Sequence, residues 1–260
     1  MKNLEGGKKM ISNLKREALS SLKGRWGLGV GSTFLNYLIP AASMYFIGIV
    51  VFLIFGLFID VIGPENLVYY SYGEPQINFG VILSQIIIWA IIFILYIVVQ
   101  SVMSYGYYNI TLGLAKNEST TIGDLFAGFN SNNIFRAMKL GILQTIFISL
   151  WSLLFIVPGI IKFFSYSMAY YIMLEDPECT ASEAIKKSKV MMKGHKLDLF
   201  ITWLSFIGWF ILGSLVGIFT LNLPYLWISP YYTTTVSHFY LNLVNKTNNT
   251  KEVPVINVQK

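Results

Sequence analysis

Two runs of polar side chains repeat at every fourth residue inside otherwise apolar stretches. Lys162, Tyr166 and Tyr170 form one run, and Thr234, His238 and Asn242 form the other. Residues at i, i+4 and i+8 share one face of a helix. An ionisable group in an apolar segment is costly to bury, so it is a functional-site hypothesis by default. Facing each other, the two stripes would line a small polar cavity or pathway. The plainer reading is hydrogen bonding between helices, with Lys162 extending its ammonium to an interface.

Other chemistry finds little support. There is no Walker-type loop, GxGxxG, HExxH or GxSxG pattern. Cys179, His195 and His238 are the soft ligands available, and they lack the spacing of a metal site. No metal and no cofactor is expected. A single cysteine excludes an intramolecular disulfide. Glu175, Asp176 and Glu178 cluster beside the end of an apolar run, and every acid lies outside such runs. No nucleophile–base pair is visible, so the chain is not expected to be an enzyme.

The basic residues gather on two amphipathic stretches. Ile11, Leu14, Ala18 and Leu22 recur at helical spacing, with Lys15, Arg16 and Lys23 around them. This predicts a helix on an inner leaflet with its cations toward lipid headgroups. Thr180-Ala181-Ser182-Glu183 fits a capping box, and Gly194 is placed to end the helix it starts. There Ala184, Ile185, Ser188, Met191 and Met192 share one face, opposite Lys186, Lys187 and Lys189. Contact with anionic lipid headgroups or a protein partner is expected at Lys15, Arg16, Lys23, Lys186, Lys187 and Lys189. Nucleic acid is not expected, because membrane segments flank the second helix. A shorter helix is expected from Thr121 to Phe129.

The elements holding these residues follow from hydropathy and charge order. Of 260 residues, 55% are hydrophobic and 12% charged. A soluble domain has about 25% charged residues. With a mean hydropathy of +0.59, the chain cannot cover itself in water, which argues against a cytosolic enzyme. No charge falls within Trp26–Ile59, Pro75–Ala115, Leu140–Ile161, Phe163–Leu174 or Leu199–Asn245. A spanning helix needs about 20 apolar residues. The expected spans are 41–59, 81–104, 140–157, 160–174, 199–220 and 225–244. Pro158-Gly159 is the expected turn of the third-to-fourth hairpin, and Leu221 to Pro224 that of the fifth-to-sixth. Segment 160–174 is short, either a full crossing or a half-buried helix.

Six crossings put both termini on one side. All basic residues except Lys162 then share that side, while Asp60, Glu65 and Glu74 lie opposite. This is the positive-inside asymmetry, and it makes the net charge of +6 an orientation signal. No cleavable signal is expected, since about 25 residues of mixed polarity precede the first apolar run.

Trp151 to Lys162, followed by Ser165-Tyr166-Ser167-Met168, resembles the central signature of the DUF975 family. So do Glu183-Ala184-Ile185, Ser188-Lys189, Met192 to Lys196, Leu204 to Trp209, Pro230-Tyr231-Tyr232 and Leu22 to Gly27. The family consists of uncharacterised bacterial integral membrane proteins. More distantly, the chain is similar to the non-catalytic membrane domain attached to some glycerophosphodiester phosphodiesterases. The resemblance implies a bacterial plasma membrane and brings no catalytic residues.

The expected fold is an all-α, polytopic helical bundle of about six spans in three hairpins, with cytoplasmic amphipathic helices. Residues 1–25 form a basic arm, 26–245 one membrane domain, and 246–260 a disordered tail. The expected role is a non-enzymatic scaffold or accessory component at the inner leaflet, with an unidentified protein partner. The alternative is a small transporter or channel built on the two stripes.

Overall fold

A computed structural model of the chain describes residues 2–62, 68–71, 74–77 and 79–252. Glu65, Lys260 and the rest of the expected tail from 253 onward lie outside the described residues. The chain forms two compact units, one of residues 37–100 and one of 1–36 with 101–260.

Helix α1 (Lys2–Leu22) and helix α2 (Trp26–Ile62) are followed by strands β1 (Val68–Ser71) and β2 (Glu74–Ile77). Helix α3 (Phe79–Ala115) and a 3-10 helix (Ile122–Phe129) come next. The remainder is α4 (Ser131–Leu154), α5 (Ile156–Tyr166), α6 (Ala169–Glu175), α7 (Ala181–Met191), α8 (Lys196–Leu204), α9 (Ile207–Thr220) and α10 (Tyr225–Glu252). The chain is 87% helix, as expected of an all-α fold, and the two short strands form a single hairpin. They pair antiparallel, Val68 opposite Ile77 and Ser71 opposite Glu74. Val68, Tyr69 and Tyr70 have the β-branched and aromatic side chains that favour strands.

Among the described residues, four helical stretches are long and apolar enough to cross a membrane: Trp26–Phe55, Ile82–Ala115, Ser131–Leu154 and Ile156–Glu175. The bent pair α8 and α9, at 42°, makes a fifth if counted as one span. The expected sixth span, 225–244, lies in α10. That helix is rich in Tyr, Ser and Thr and is not among the apolar set. Its buried Ser229, Thr234, Thr235 and Ser237 face protein rather than solvent.

The hairpin turn expected at Pro158-Gly159 lies three residues earlier. Phe155 is extended, with φ −158° and ψ 142°, and separates α4 from α5. Pro158 instead sits in the first turn of α5, where a missing N–H leaves no helical bond unmade. Gly159 permits the close return, since a Cβ there would run into Ser152 of α4. The following apolar run is broken at Ser167 and Met168, and α7 repairs the break. Ser188 Oγ donates to the Ser165 carbonyl at 2.8 Å and accepts from the Met168 N–H at 3.2 Å.

The expected turn from Leu221 to Pro224 is present, with Leu221 and Asn222 in the left-handed region. Pro40 and Pro230 lie inside α2 and α10 without ending them. In the larger unit the core joins α1, α3, α4, α6, α7 and α10 through residues such as Leu14, Leu112, Leu140, Tyr171, Ile185 and Phe239. The apolar face of α1, formed by Ile11, Leu14, Ala18 and Leu22, is buried, and α1 packs on α10. The apolar side of α1 is therefore covered by protein, a contact that the sequence did not reveal.

Candidate functional site

The two stripes do not close on one cavity. Tyr166 and Tyr170 line a cavity of about 120 Å³ with Tyr108, Gln144, Tyr232 and Thr233. Lys162 turns away, its Nζ 4.4 Å from the Trp151 ring centroid. From α10, Tyr232, Thr233 and Val236 reach the cavity, and Thr233 is one residue off the expected stripe. Thr234 is fully buried, and its hydroxyl has no hydrogen-bond partner among the described residues. Asn242 does not line the cavity.

His238 faces α1. Its Nε2 lies 3.0 Å from Ser21 Oγ, and its Nδ1 lies 3.6 Å from Glu17 Oε2. The order serine, histidine, carboxylate is that of a nucleophile relay. Ser21 is only 3% exposed, however, which keeps an electrophile from its hydroxyl. The trio ties α1 to α10. Sequence reading missed it because its members are far apart in the chain, although Glu17 and Ser21 do share a helix face.

Around the cavity, hydroxyls bond to one another across helices. Tyr107 OH lies 2.8 Å from Thr33 Oγ1 and accepts from Thr233 Oγ1 at 3.2 Å. Ser237 Oγ donates to Tyr171 OH at 3.2 Å. Tyr170 stacks on Tyr108, and Tyr171 stacks on Tyr240. At one end Tyr240 OH donates to Glu175 at 2.6 Å, and the other oxygen of Glu175 pairs with Lys116 at 2.7 Å. Ring stacking and hydroxyl pairs thus link the helices around the cavity.

Two arginines cap helix ends. Arg136 donates from Nη2 to the carbonyls of Met173, Asp176 and Cys179, at 3.2, 2.9 and 3.0 Å. Arg25 donates to the carbonyls of Ser21, Leu114 and Glu118 and to Asn117 Oδ1. Cations near a helix C-terminus meet its free carbonyls and the negative end of its dipole.

The expected lipid or partner residues fall into distinct environments. On α7 the capping box is formed, with Thr180 N–H donating to Glu183 and Glu183 N–H donating to Thr180 Oγ1. Ala181, Ala184, Ile185 and Ser188 are buried, while Lys186, Lys187 and Lys189 are exposed. Lys187 pairs with Asp176 at 2.7 Å. That hydrogen bond holds the Asp176 carboxyl below its ordinary value and raises Lys187. The Thr180 N–H likewise lowers Glu183, and burial pushes the Cys179 thiol up. Arg16 bonds Asn13, and Lys23 is exposed. Lys15 bonds the Ser205 carbonyl at 2.8 Å. Among the described residues no group of three His, Cys, Asp or Glu is placed to hold a metal ion.

Residues 157–247 match a family model described as a protein of unknown function. The matched family is DUF975. The DUF975 segment runs from the start of α5 through most of α10, and so contains Tyr166, Tyr170, Ser188, Thr233 and His238. It is narrower than the resemblance, which began at Leu22. No curated protein and no solved structure matches the chain.

Proposed function

We propose that this DUF975 chain is a multi-pass protein of a bacterial plasma membrane with both termini cytoplasmic. It acts there as a non-enzymatic scaffold or accessory component for anionic lipids and a protein partner. The observation that carries this reading is the construction of α7. Its apolar side is spent on the protein's own core, which leaves Lys186 and Lys189 on an exposed ridge with a fixed orientation. Nearby, Lys116, Arg136 and Lys187 bond Glu175, Asp176 and the carbonyls around them. Cations from the end of α3, from α4 and from α7 thus gather around the end of α6, which supports a common side for those parts of the chain.

The test is a double variant, Lys186→Glu with Lys189→Glu, in a strain lacking the native copy. Retained membrane insertion with loss of rescue and of co-purifying partner is the expected result. Full rescue with the same partners would overturn the scaffold reading. Lys187 is left intact because its pairing with Asp176 is structural.

The transporter alternative keeps one supporting observation, the cavity beside Tyr166 and Tyr170. At about 120 Å³ it has room for a few waters or one small solute. Substrate-independent behaviour of a Tyr166→Phe, Tyr232→Phe variant in uptake assays would remove it.

A further inference from the structure

The partly buried cations differ in what neutralises them. Lys116 has a carboxylate, and Arg25 and Arg136 spend their N–H groups on carbonyls. Lys15 stands apart. Its Nζ donates to the Ser205 carbonyl at 2.8 Å and lies 4.1 Å from the Phe206 ring centroid. Among the described residues no carboxylate forms an ion pair with it. Burial lowers its pKa, with no acid to offset the loss of hydration. A desolvated charge without a counter-ion is unfavourable.

A groove opens at this ammonium. Ile11, Ser12 and Lys15 of α1 form one wall, and Ile201, Leu204 and Ser205 form the other, enclosing about 520 Å³. On α9, the helix that follows Ser205, Ile207, Ile211 and Leu215 are exposed at helical spacing. The bend between α8 and α9 is what frees the Ser205 carbonyl to fix the ammonium in place. One cation with a neighbouring hydroxyl, set at the end of an apolar track, has the chemistry of an anionic amphiphile's complement.

We propose that this groove binds one anionic phospholipid, with its phosphate on Lys15 and Ser12 and an acyl chain along Ile201, Leu204 and the α9 stripe. A net negative headgroup supplies the missing counter-ion, which a zwitterionic one does not. The proposal rests on the membrane reading above and adds a defined lipid position to it.

The test uses the full chain in phosphatidylcholine nanodiscs containing either photoactivatable phosphatidylglycerol or photoactivatable phosphatidylcholine. Phosphatidylglycerol should crosslink residues 11–15 and 201–215 about tenfold more than phosphatidylcholine, a difference of about 1.4 kcal/mol. Lys15→Gln should remove that preference, Lys15→Arg should keep it, and a Lys186→Gln, Lys189→Gln variant should leave it unchanged. Ser12→Ala should weaken it without disturbing the Ser205 contact, so the test survives a Lys15→Gln chain that fails to fold. Equal crosslinking by the two lipids, an unaffected Lys15→Gln, or labelling confined to α7 would overturn the proposal. So would displacement by inorganic phosphate, which would identify a soluble-anion site. A chain that does not enter the discs at all would instead overturn the membrane reading.

Discussion

Arg136, a cation not singled out from the sequence, crosses from α4 to the end of α6. Its guanidinium holds three carbonyls where α6 ends. Lysine cannot reproduce that fork, so Arg136→Lys should lower stability by about 2 kcal/mol, read from thermal unfolding of the purified protein. Ser188→Ala strands the Ser165 carbonyl and the Met168 N–H together, and should likewise cost about 2 kcal/mol by the same measurement. The Asp176–Lys187 pair predicts a pH dependence at both ends. The depressed Asp176 contributes stability above its unfolded pKa of about 3.9, and that contribution is lost as pH falls through the lower folded value. The raised Lys187 contributes stability below about pH 10.4, lost as pH rises through its higher folded value. Asp176→Asn should therefore differ most from the native chain near neutral pH. The two unfolding curves should converge at both extremes.

Among the elements, the close crossings depend on glycine. A Cβ on Gly106 of α3 would run into the Leu125 carbonyl of the 3-10 helix, and one on Gly128 would run into the Val102 carbonyl. Neither backbone can retreat cheaply, so Gly106→Ala should destabilise by about 3 kcal/mol. Gly7→Ala on α1 meets nothing within 4 Å and should be neutral or stabilising by up to about 1 kcal/mol. Paired unfolding curves of the two variants check both statements. The capping box at Thr180 and the turn at Leu221 were legible because they depend on residues a few positions apart. The α4–α5 turn was misplaced because Pro158-Gly159 reads locally as a turn. In the folded chain proline serves the first turn of a helix, and glycine serves a crossing with Ser152.

For the molecule as a whole, the question is how many helices cross. Reporter tags after Lys246 and at Glu118 should both report cytoplasm, and a tag at Asn222 the outside. A C-terminal tag on the outer side would mean an odd number of crossings, with α10 held wholly on one side. Apolar runs and their approximate ends could be read directly, because hydropathy is a local property that adds along the chain. The partners of the polar residues could not. Lys15 meets Ser205 across 190 positions, and Ser21 meets His238 across 217. Helical spacing predicts one face for Lys162, Tyr166 and Tyr170 and another for Thr234, His238 and Asn242, whereas in the fold Tyr166 ends α5, Tyr170 lies on α6 and Lys162 turns to Trp151. Which faces meet is set by the rotation and tilt at which helices pack, and those depend on side-chain fit with distant segments. Tertiary packing therefore turned His238 toward α1, brought Thr233 rather than Thr234 to the cavity, and left Lys15 without a carboxylate.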